Sequence, residues 1–376
     1  MQRSKQLFST ISSDGNLKFE LLDVDVPTPQ AHEIIVKIEA APINPSDMWP
    51  MFGPANLMEA ELEYSDSAKV MNAPLYPGTV ARMKSRLDQT LPVGNEGAGT
   101  VVAAGDSDAA QALMGKTVAV LSGATYAEYC CVPVQACMLH NEGTTAAQAA
   151  SSFVNPLTAL SMVDTMRMEG HSALIHTAAA SGLGQMLNKI CLAEDVPLIN
   201  IVRKAEHVDL LKNMGAKIVC NSSDESFQQD LIAAITETGA TLAFDAVGGG
   251  ELVNDILAAM EYVGCKDAVG LNTYGSPENK QVYVYGSLDI SPTVLSRAYG
   301  MTWSIGGYLL MQFLGKVGPQ RVMELHKRVA DEIDTTFAST FTDTLNFKQA
   351  MTPSVITQYN AKKTGEKFLI NPSLGA

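Results

Sequence analysis

The segment HTAAASGLGQ, at residues 176–185, combines small side chains with a position between an apolar run and a helical pattern. Small residues at such a turn let the backbone approach a ligand closely, and the first turn of the following helix presents N–H groups that lack helical partners. This combination suits the pyrophosphate of a dinucleotide. Against the G-x-G-x-x-G spacing, the positions fall on Ala179, Ser181 and Gly184, so only the last glycine is present. A tight strand-to-helix turn without a ligand is the alternative that this loop leaves open.

The next apolar run ends at Ile201 and Val202. Arg203 and Lys204 follow it directly. In NAD sites a carboxylate usually stands at the end of this strand and binds the 2′-hydroxyl of the adenosine ribose. Two cations stand here instead, and they suit a 2′-phosphate. The sequence therefore predicts NADPH rather than NADH, with a solvated basic pair at a helix start as the alternative.

The flanking patterns indicate which elements position these residues. Residues 18–40 and 92–134 contain short β-type runs separated by tight turns, as in a small β-barrel. From residue 172 to residue 286, apolar runs alternate with helical segments, which predicts a parallel sheet with helices on both faces. The tail ends in the strand GEKFLINP (365–372) and is expected to pack on the first domain. The stretch 54–91 is poorly patterned and looks like an insertion.

Composition limits the class of protein. The 376 residues suggest two domains, and the formal net charge of −14 disfavours nucleic acid and anionic membranes as partners. No run reaches the roughly 18 apolar residues of a membrane-spanning helix, and the start lacks the apolar region of a secretory signal. The six cysteines form no C-x-x-C pair, which indicates free thiols and a cytoplasmic location.

Six motifs occur in an order that carries a family resemblance. They are INPSD (43–47), VGNEGAGTVVAAG (93–105), GKTVAV (115–120), NPLTAL (155–160), ASGLG (180–184) and DAVGGG (245–250). With them the chain resembles the medium-chain dehydrogenase/reductase superfamily, and more narrowly its zinc-independent quinone oxidoreductases and 2-enoyl thioester reductases. The resemblance implies an α/β fold with a GroES-like β-barrel catalytic domain at residues 1–153 and 311–376. A Rossmann cofactor domain, with a doubly wound parallel sheet, is expected at residues 154–310.

The resemblance also implies that NADPH lies in the cleft between the domains, and it implies the residues that hold it. Asn44 and Thr158 match positions beside the nicotinamide and are the predicted catalytic residues. The predicted cofactor-binding residues are Asn155, the loop Ala180, Ser181, Gly182 and Leu183, the clamp Arg203 and Lys204, the strand-end residues Tyr285, Gly286 and Ser287, and finally Trp303 and Lys367.

No metal site is expected. Zinc-dependent relatives take a histidine from a G-H-E signature, and the matching residues here are Gly94, Asn95 and Glu96. Asparagine is a poor zinc ligand, and the first cysteine of those relatives is replaced within residues 44–47.

The hydride acceptor stays open between two classes. A quinone needs an apolar slot for a flat ring and takes its protons from solvent, whereas a thioester reaction gains from a positioned acid. The tyrosine that supplies this acid in the family is replaced by Ala55, which favours a quinone, although Tyr64 or Tyr76 could fold back into the site. Trp49 and Phe52 suit either a ring slot or the domain core.

A different class of function also stays open, because a sensor or structural protein could bind NADPH without turnover. The resemblance implies a homodimer that joins sheet edges, although the run KQVYVYG (280–286) reads better as a central strand than as an edge. The expected partners are therefore a small-molecule electron acceptor and a second copy of the chain.

Overall fold

The structure is a computed structural model that describes residues 2–66, 68–270 and 272–374. It divides into two compact units, Met1–Val154 with His326–Ala376, and Asn155–Leu325.

The strands are β1 (Arg3–Ile11), β2 (Asn16–Asp25), β3 (Glu33–Ile43), β4 (Glu61–Tyr64), β5 (Lys69–Pro74), β6 (Thr90–Pro92), β7 (Glu96–Ala104), β8 (Thr117–Leu121), β9 (Tyr129–Pro133), β10 (Cys137–Leu139), β11 (Leu174–His176), β12 (Leu198–Val202), β13 (Ile218–Asn221), β14 (Leu242–Asp245), β15 (Gly248–Gly250), β16 (Lys280–Val284), β17 (Asp289–Thr293), β18 (Trp303–Gly307), β19 (Asp343–Leu345) and β20 (Phe368–Ile370). The α-helices are α1 (Met48–Phe52), α2 (Asp108–Gln111), α3 (Ala146–Ala149), α4 (Val154–Met168), α5 (Gly182–Ala193), α6 (Ala205–Asn213), α7 (Phe227–Thr238), α8 (Leu252–Cys265), α9 (Leu310–Asp331), α10 (Phe347–Met351) and α11 (Pro353–Asn360).

The first unit consists mainly of antiparallel strands. One sheet has the order β4-β5-β2-β1-β6, and another has the order β10-β8-β7-β3-β20-β19, with β9 also paired to β3. Alternate residues of the long strands, such as Leu7, Leu17 and Phe19, point into one apolar core. The C-terminal strand β20 pairs with β3, so the tail packs on the first domain as the sequence predicts.

The stretch 54–91 contributes strands to the first unit's sheet. Its strand β5 pairs with β2 from Asn16↔Pro74 to Glu20↔Val70, and β6 pairs with β1. The sequence pattern was weak here because β4, β5 and β6 are short and half-exposed, so their alternation of apolar and polar residues is incomplete.

The second unit contains a six-stranded sheet of order β13-β12-β11-β14-β16-β18, in which every neighbouring pair is parallel. Numbered along the chain, these strands lie in the order 3-2-1-4-5-6, which is the doubly wound order of dinucleotide-binding domains. All five residues of β12 are buried, as expected of a strand covered by helices on both faces. The predicted doubly wound sheet is confirmed.

The boundary between the two compact units falls within helix α9. The helix is interrupted at Gly318 (φ 79°), directly before Pro319, and so consists of two arms. Arg321 in the second arm forms an ion pair with Asp164 of α4, with Nε 2.8 Å from Oδ2. The sequence placed the domain boundary at residue 310/311, whereas the compact units divide at residue 325/326. In the described part of the chain, no helix is both long and apolar enough to span a membrane.

Candidate functional site

The predicted phosphate loop connects β11 to α5. The Ser181 side chain accepts a hydrogen bond from the Gly184 N–H (3.2 Å) and so caps the helix, whose first-turn N–H groups at Gly182 and Leu183 have no helical carbonyl to bond. A Cβ atom on Gly184 would lie 2.2 Å from the carbonyl oxygen of Ala179, so only glycine lets the helix approach the loop this closely. These contacts fit a pyrophosphate cradle.

Helix α4 supplies two further predicted residues. The amide nitrogen of Asn155 lies 3.7 Å from the position that a Cβ on Gly182 would occupy, so the structure brings Asn155 to the start of α5. Thr158, one turn further along, is buried, and its carbonyl accepts a hydrogen bond from the Ser161 hydroxyl. Asn155 can therefore reach a group held at the loop.

The predicted clamp lies at the carboxyl end of β12. Arg203 is exposed, whereas Lys204 forms an exposed ion pair with Glu206 (3.1 Å). The loop after β13 lies beside it, since the Ser223 hydroxyl donates to the Arg203 carbonyl (2.9 Å) and the Ser222 N–H donates to the carbonyl of Val202 (2.7 Å). Sequence reasoning missed these serines, although a polar turn at the end of the neighbouring parallel strand is a usable signal.

Tyr285 lies at the same edge of the sheet, directly after the carboxyl end of β16. Its hydroxyl lies 2.7 Å from Nε2 of His176, and the two rings stack with centroids 5.8 Å apart. Burial lowers the pKa of His176 to about 3, so the imidazole is neutral, and burial also raises the pKa of the Tyr285 hydroxyl. A Cβ on Gly286 would lie 2.5 Å from the Ala246 carbonyl oxygen, and Ser287 is exposed. The predicted residues Tyr285, Gly286 and Ser287 therefore lie where the end of β16 meets the 245–250 loop.

Asp245 braces these loops, and sequence reasoning did not single it out. This fully buried carboxylate accepts hydrogen bonds from the Thr177 hydroxyl (2.6 Å) and from the N–H groups of Val247 (3.1 Å) and Gly248 (2.7 Å). The carboxyl ends of β11 and β14 are thereby tied together. The usable signal was an acidic residue at the end of an otherwise apolar strand.

Trp303 requires a correction, because the structure does not bring it to this edge. It is paired with Lys280 at the amino ends of the parallel strands β16 and β18, whose carboxyl ends are at Val284 and Gly307. Its indole packs edge-on against Tyr299, with ring centroids 5.2 Å apart, in the apolar core of the sheet. Trp303 is therefore left out of the proposed cofactor site.

In the first unit, a buried polar cluster surrounds Asn44. Asn44, 2% exposed, donates its Nδ2 hydrogen to Oε1 of Glu96 (2.9 Å), and Oε2 of Glu96 accepts from the N–H groups of Phe153 (2.9 Å) and Val154 (3.0 Å). Burial raises the pKa of Glu96, and nearby Lys367 opposes that rise. Because Glu96 holds the amide nitrogen, Oδ1 is the atom of Asn44 left without a partner among the described residues.

Two more charged residues complete this cluster. Asp47 accepts hydrogen bonds from the N–H groups of Asn44 (2.8 Å) and Asn95 (2.9 Å), and burial raises its pKa to about 7. It caps the turn that follows Asn44. Lys367 donates to the Ser151 hydroxyl (2.7 Å), and burial lowers the pKa of its ammonium while Glu96 and Asp47 oppose that change. Asn44 is thus bonded to Glu96, and the charge of Lys367 is close enough to Glu96 to affect its pKa.

The aromatic residues near this cluster divide into two groups. Phe52 is 2% exposed and packs against Phe19 and Tyr359, with centroid distances of 5.3 and 6.3 Å. Trp49, in the same short helix α1, is 59% exposed. Phe52 is therefore core, and Trp49 remains available to a ligand.

Neither Tyr64 nor Tyr76, the two candidates for a proton donor, contacts the polar cluster around Asn44 by a hydrogen bond in the described part of the chain. Ala55 is buried, Tyr76 is 51% exposed, and the Tyr64 ring lies beneath the ammonium of Lys348, 5.3 Å from its centroid. Among the described residues, neither the Tyr64 nor the Tyr76 hydroxyl is hydrogen-bonded to Asn44. The structure thus offers no support for Tyr64 or Tyr76 as the family's acid.

Comparison with known proteins bears on the family. A family model described as zinc-binding dehydrogenase matches residues 182–304. Prostaglandin reductase-3 of Mus musculus is 25% identical over 307 residues, which are 80% of this chain and 75% of that protein. A solved structure assigned as an NADPH:quinone reductase from Mesorhizobium loti is 25% identical, with a TM-score of 0.72 and 99% of each chain covered. Residues 182–304 therefore match a dehydrogenase family model, and the chain as a whole is similar to medium-chain dehydrogenases/reductases.

The resemblance carried by the six motifs is confirmed, as is the fold class of a GroES-like domain plus a Rossmann domain. The CurK enoyl reductase shares this fold, with a TM-score of 0.67, 16% identity, and 98% of this chain and 99% of that chain covered. Together these similarities support an oxidoreductase of the medium-chain type.

Zinc-dependent members of the superfamily provide a chemical contrast for the first unit. Asn95, which the resemblance matches to their histidine, donates its side-chain hydrogen to the Ser46 hydroxyl (3.0 Å). Asn44 likewise directs its nitrogen at Glu96. Across residues 2–66, 68–270 and 272–374, no group of three or more His, Cys, Asp and Glu side chains is arranged to hold a metal ion.

Proposed function

We propose that this protein is an NADPH-dependent reductase that transfers a hydride to a quinone or a quinone-like conjugated carbonyl without zinc. The observation that carries the proposal is the geometry of the loop 177–184. The closely packed Gly184, the cap at Ser181 and the open first turn at Gly182 form a backbone cradle, with exposed Arg203 on the adjacent strand. When bound, the cofactor supplies the hydride, and the protein supplies its placement.

The donor set of the second unit fits this cofactor. The N–H groups of Gly182 and Leu183 suit the pyrophosphate, and the guanidinium of Arg203, with the hydroxyls of Ser222 and Ser223 nearby, suits a 2′-phosphate. Lys204 contributes less than the sequence suggested, because Glu206 already neutralises it at 3.1 Å. Tyr285, Gly286, Ser287, Asn155 and Thr158 remain proposed neighbours of the nicotinamide end.

A flat acceptor is favoured by two features of the first unit. The exposed indole of Trp49 follows the Asn44 turn and gives an aromatic surface on which a ring can stack. Ala55 stands where relatives carry a tyrosine acid, so an acceptor that draws protons from solvent is served better than an enoyl thioester. Catalysis then rests mainly on proximity and orientation, with Asn44 and Lys367 as polar contacts.

The amides at Asn44 and Asn95 support a reaction without zinc. Asparagine nitrogens carry no lone pair suited to zinc, and both are used as hydrogen-bond donors. Neutral amides beside the buried carboxyl groups of Glu96 and Asp47 provide hydrogen-bond donors and acceptors, which suit hydroxyl and carbonyl groups of a ligand.

We also propose a cytoplasmic homodimer. All six cysteines are free, which suits a reducing compartment. The run 280–286 forms β16, an inner strand, so edge pairing would use β18 instead. Ile290 and Met301 nearby in the sequence are exposed apolar side chains, as an interface of this kind needs.

A panel of acceptors tests the proposed reaction. The loss of NADPH absorbance would be followed with benzoquinone, naphthoquinone, an enone and crotonyl thioester, with enzyme-free reactions as controls. We expect the highest kcat/KM with naphthoquinone, because stacking on an aromatic side chain contributes roughly 0.5–1.5 kcal/mol, or about two- to tenfold. Faster turnover of the thioester would replace the quinone by an enoyl acceptor. No oxidation of bound NADPH with any acceptor would favour a sensor or structural protein.

A further inference from the structure

Arg86 of the stretch 54–91 reaches across to the turn that carries Trp49. Its Nη1 donates to the Trp49 carbonyl oxygen (2.8 Å), and its Nη2 donates to the Ser9 hydroxyl (2.7 Å) and to the carbonyl oxygen of Pro50. The guanidinium is half-buried, and burial lowers its pKa. The desolvation of this cation is thus offset by two backbone carbonyls and one hydroxyl.

These bonds satisfy the carbonyl end of α1, a helix of only five residues. The Trp49 carbonyl also accepts from the Gly53 N–H (2.9 Å), and the Met51 carbonyl accepts from the Ser9 hydroxyl (2.6 Å). The last carbonyls of a helix lack helical partners, and a cation beside them is favourable. A helix this short is not stable by itself, so contacts from outside determine its geometry.

The position of α1 connects this contact to the site. The helix follows directly from the turn of Asn44 and Asp47, and its side chains Met51 and Phe52 are buried in the core. The core therefore holds one face of α1, and Arg86 holds its end. Trp49 is the exposed member of the helix, and its backbone carbonyl is the one that Nη1 of Arg86 contacts.

We propose that Arg86 is a positioning residue that sets the orientation of Trp49 and thereby the affinity for flat ring acceptors. The inference rests on the proposed function, since it assigns Trp49 to the acceptor. It also gives the 54–91 stretch a role, because the strands β5 and β6 anchor the segment that presents Arg86.

Two substitutions and a matched control test the proposal. Arg86→Met keeps the apolar stem and removes every donor, whereas Arg86→Lys keeps the charge and one point of contact. Arg82→Met removes an exposed arginine from the same segment. The chain has two tryptophans, so a Trp303→Phe background leaves Trp49 as the sole indole fluorophore.

The readouts separate positioning from general stability. With Arg86→Met we expect an about two- to tenfold higher KM for naphthoquinone, because stacking on an aromatic side chain contributes roughly 0.5–1.5 kcal/mol. The kcat and the NADPH dissociation constant should stay near wild type. Trp49 fluorescence anisotropy should fall and acrylamide quenching should rise, with an intermediate effect for Arg86→Lys and none for Arg82→Met.

Each outcome decides the proposal. Unchanged KM and unchanged Trp49 anisotropy in Arg86→Met would overturn it, as would equal loss in Arg82→Met. If Arg86→Met does not fold, KM and Trp49 anisotropy are compared between Arg86→Lys and the wild type. Both are then measured below the melting temperature of the variant. If the wild type reduces no acceptor, the proposed function fails, and Trp49 anisotropy still reports whether Arg86 holds the turn.

Discussion

Replacing Lys280 with alanine is expected to lower the free energy of unfolding by about 3–5 kcal/mol, because it leaves a carboxylate inside the protein without its cation. Lys280 is 1% exposed, and its ammonium lies 2.8 Å from Oε2 of Glu261. It also donates to the Ser276 hydroxyl (3.2 Å) and the Glu278 carbonyl (3.0 Å). For a unit of this size, the loss corresponds to a melting temperature lower by roughly 6–20 °C.

The controls for Lys280 distinguish a lost ion pair from a lost side chain. The double variant Lys280→Met/Glu261→Met should recover most of the stability, since a buried pair replaced by apolar residues is often neutral. Lys266→Ala, at the exposed end of α8, should change stability by no more than about 0.5 kcal/mol. Thermal unfolding followed by circular dichroism measures all three. A single Lys280 variant that melts with the wild type would show that the pair contributes little.

Gly184→Ala is expected to reduce NADPH affinity by roughly 100-fold, since α5 must move and hydrogen bonds from its N–H groups to a charged pyrophosphate contribute about 1.5–3 kcal/mol each. The new Cβ would lie 2.2 Å from the carbonyl oxygen of Ala179 and 2.6 Å from its carbon. Both atoms belong to the backbone, so α5 must move away from the loop. Overpacking of this kind should also destabilise the protein by about 1–3 kcal/mol.

Gly182→Ala is the matched comparison, because it separates packing from ligand approach. A Cβ at this position would meet only Nδ2 of Asn155, at 3.7 Å, which is ordinary contact. The free protein should keep its melting temperature, while NADPH affinity falls by about tenfold, or roughly 1.4 kcal/mol. Titration of NADPH fluorescence, with melting curves without cofactor, measures both effects. Tight NADPH binding by Gly184→Ala would refute the cradle.

Much of the second unit was predictable because its strands are apolar on both faces. Strand β12, for example, is apolar except for Asn200 and is buried along its whole length, as is typical of a parallel sheet covered on both faces. The loop could be located from sequence, since a strand-to-helix junction with small residues has few other uses. The sequence also shows that Gly184 is the one glycine kept among the positions Ala179, Ser181 and Gly184 of the G-x-G-x-x-G spacing. The close approach of Gly184 to the Ala179 backbone gives the physical reason.

Other features could not be predicted, because they depend on which ends of strands meet. A pattern identifies β18 as a strand but does not show that Trp303 stands at its amino end. The bond between Ser223 and the Arg203 carbonyl joins two loops that are neighbours only in the sheet order. Arg86 lies far along the chain from Trp49, and the weak pattern around it hides the pairing of β6 with β1.

The measurement that tests the account most directly is the dissociation constant of NADPH against that of NADH, for the wild type and for Arg203→Ala. One charge-assisted contact contributes about 1.5–3 kcal/mol, so the wild type should bind NADPH roughly ten- to hundredfold more tightly than NADH. Arg203→Ala should remove that preference and leave NADH affinity unchanged. Equal or tighter binding of NADH by the wild type would contradict the account.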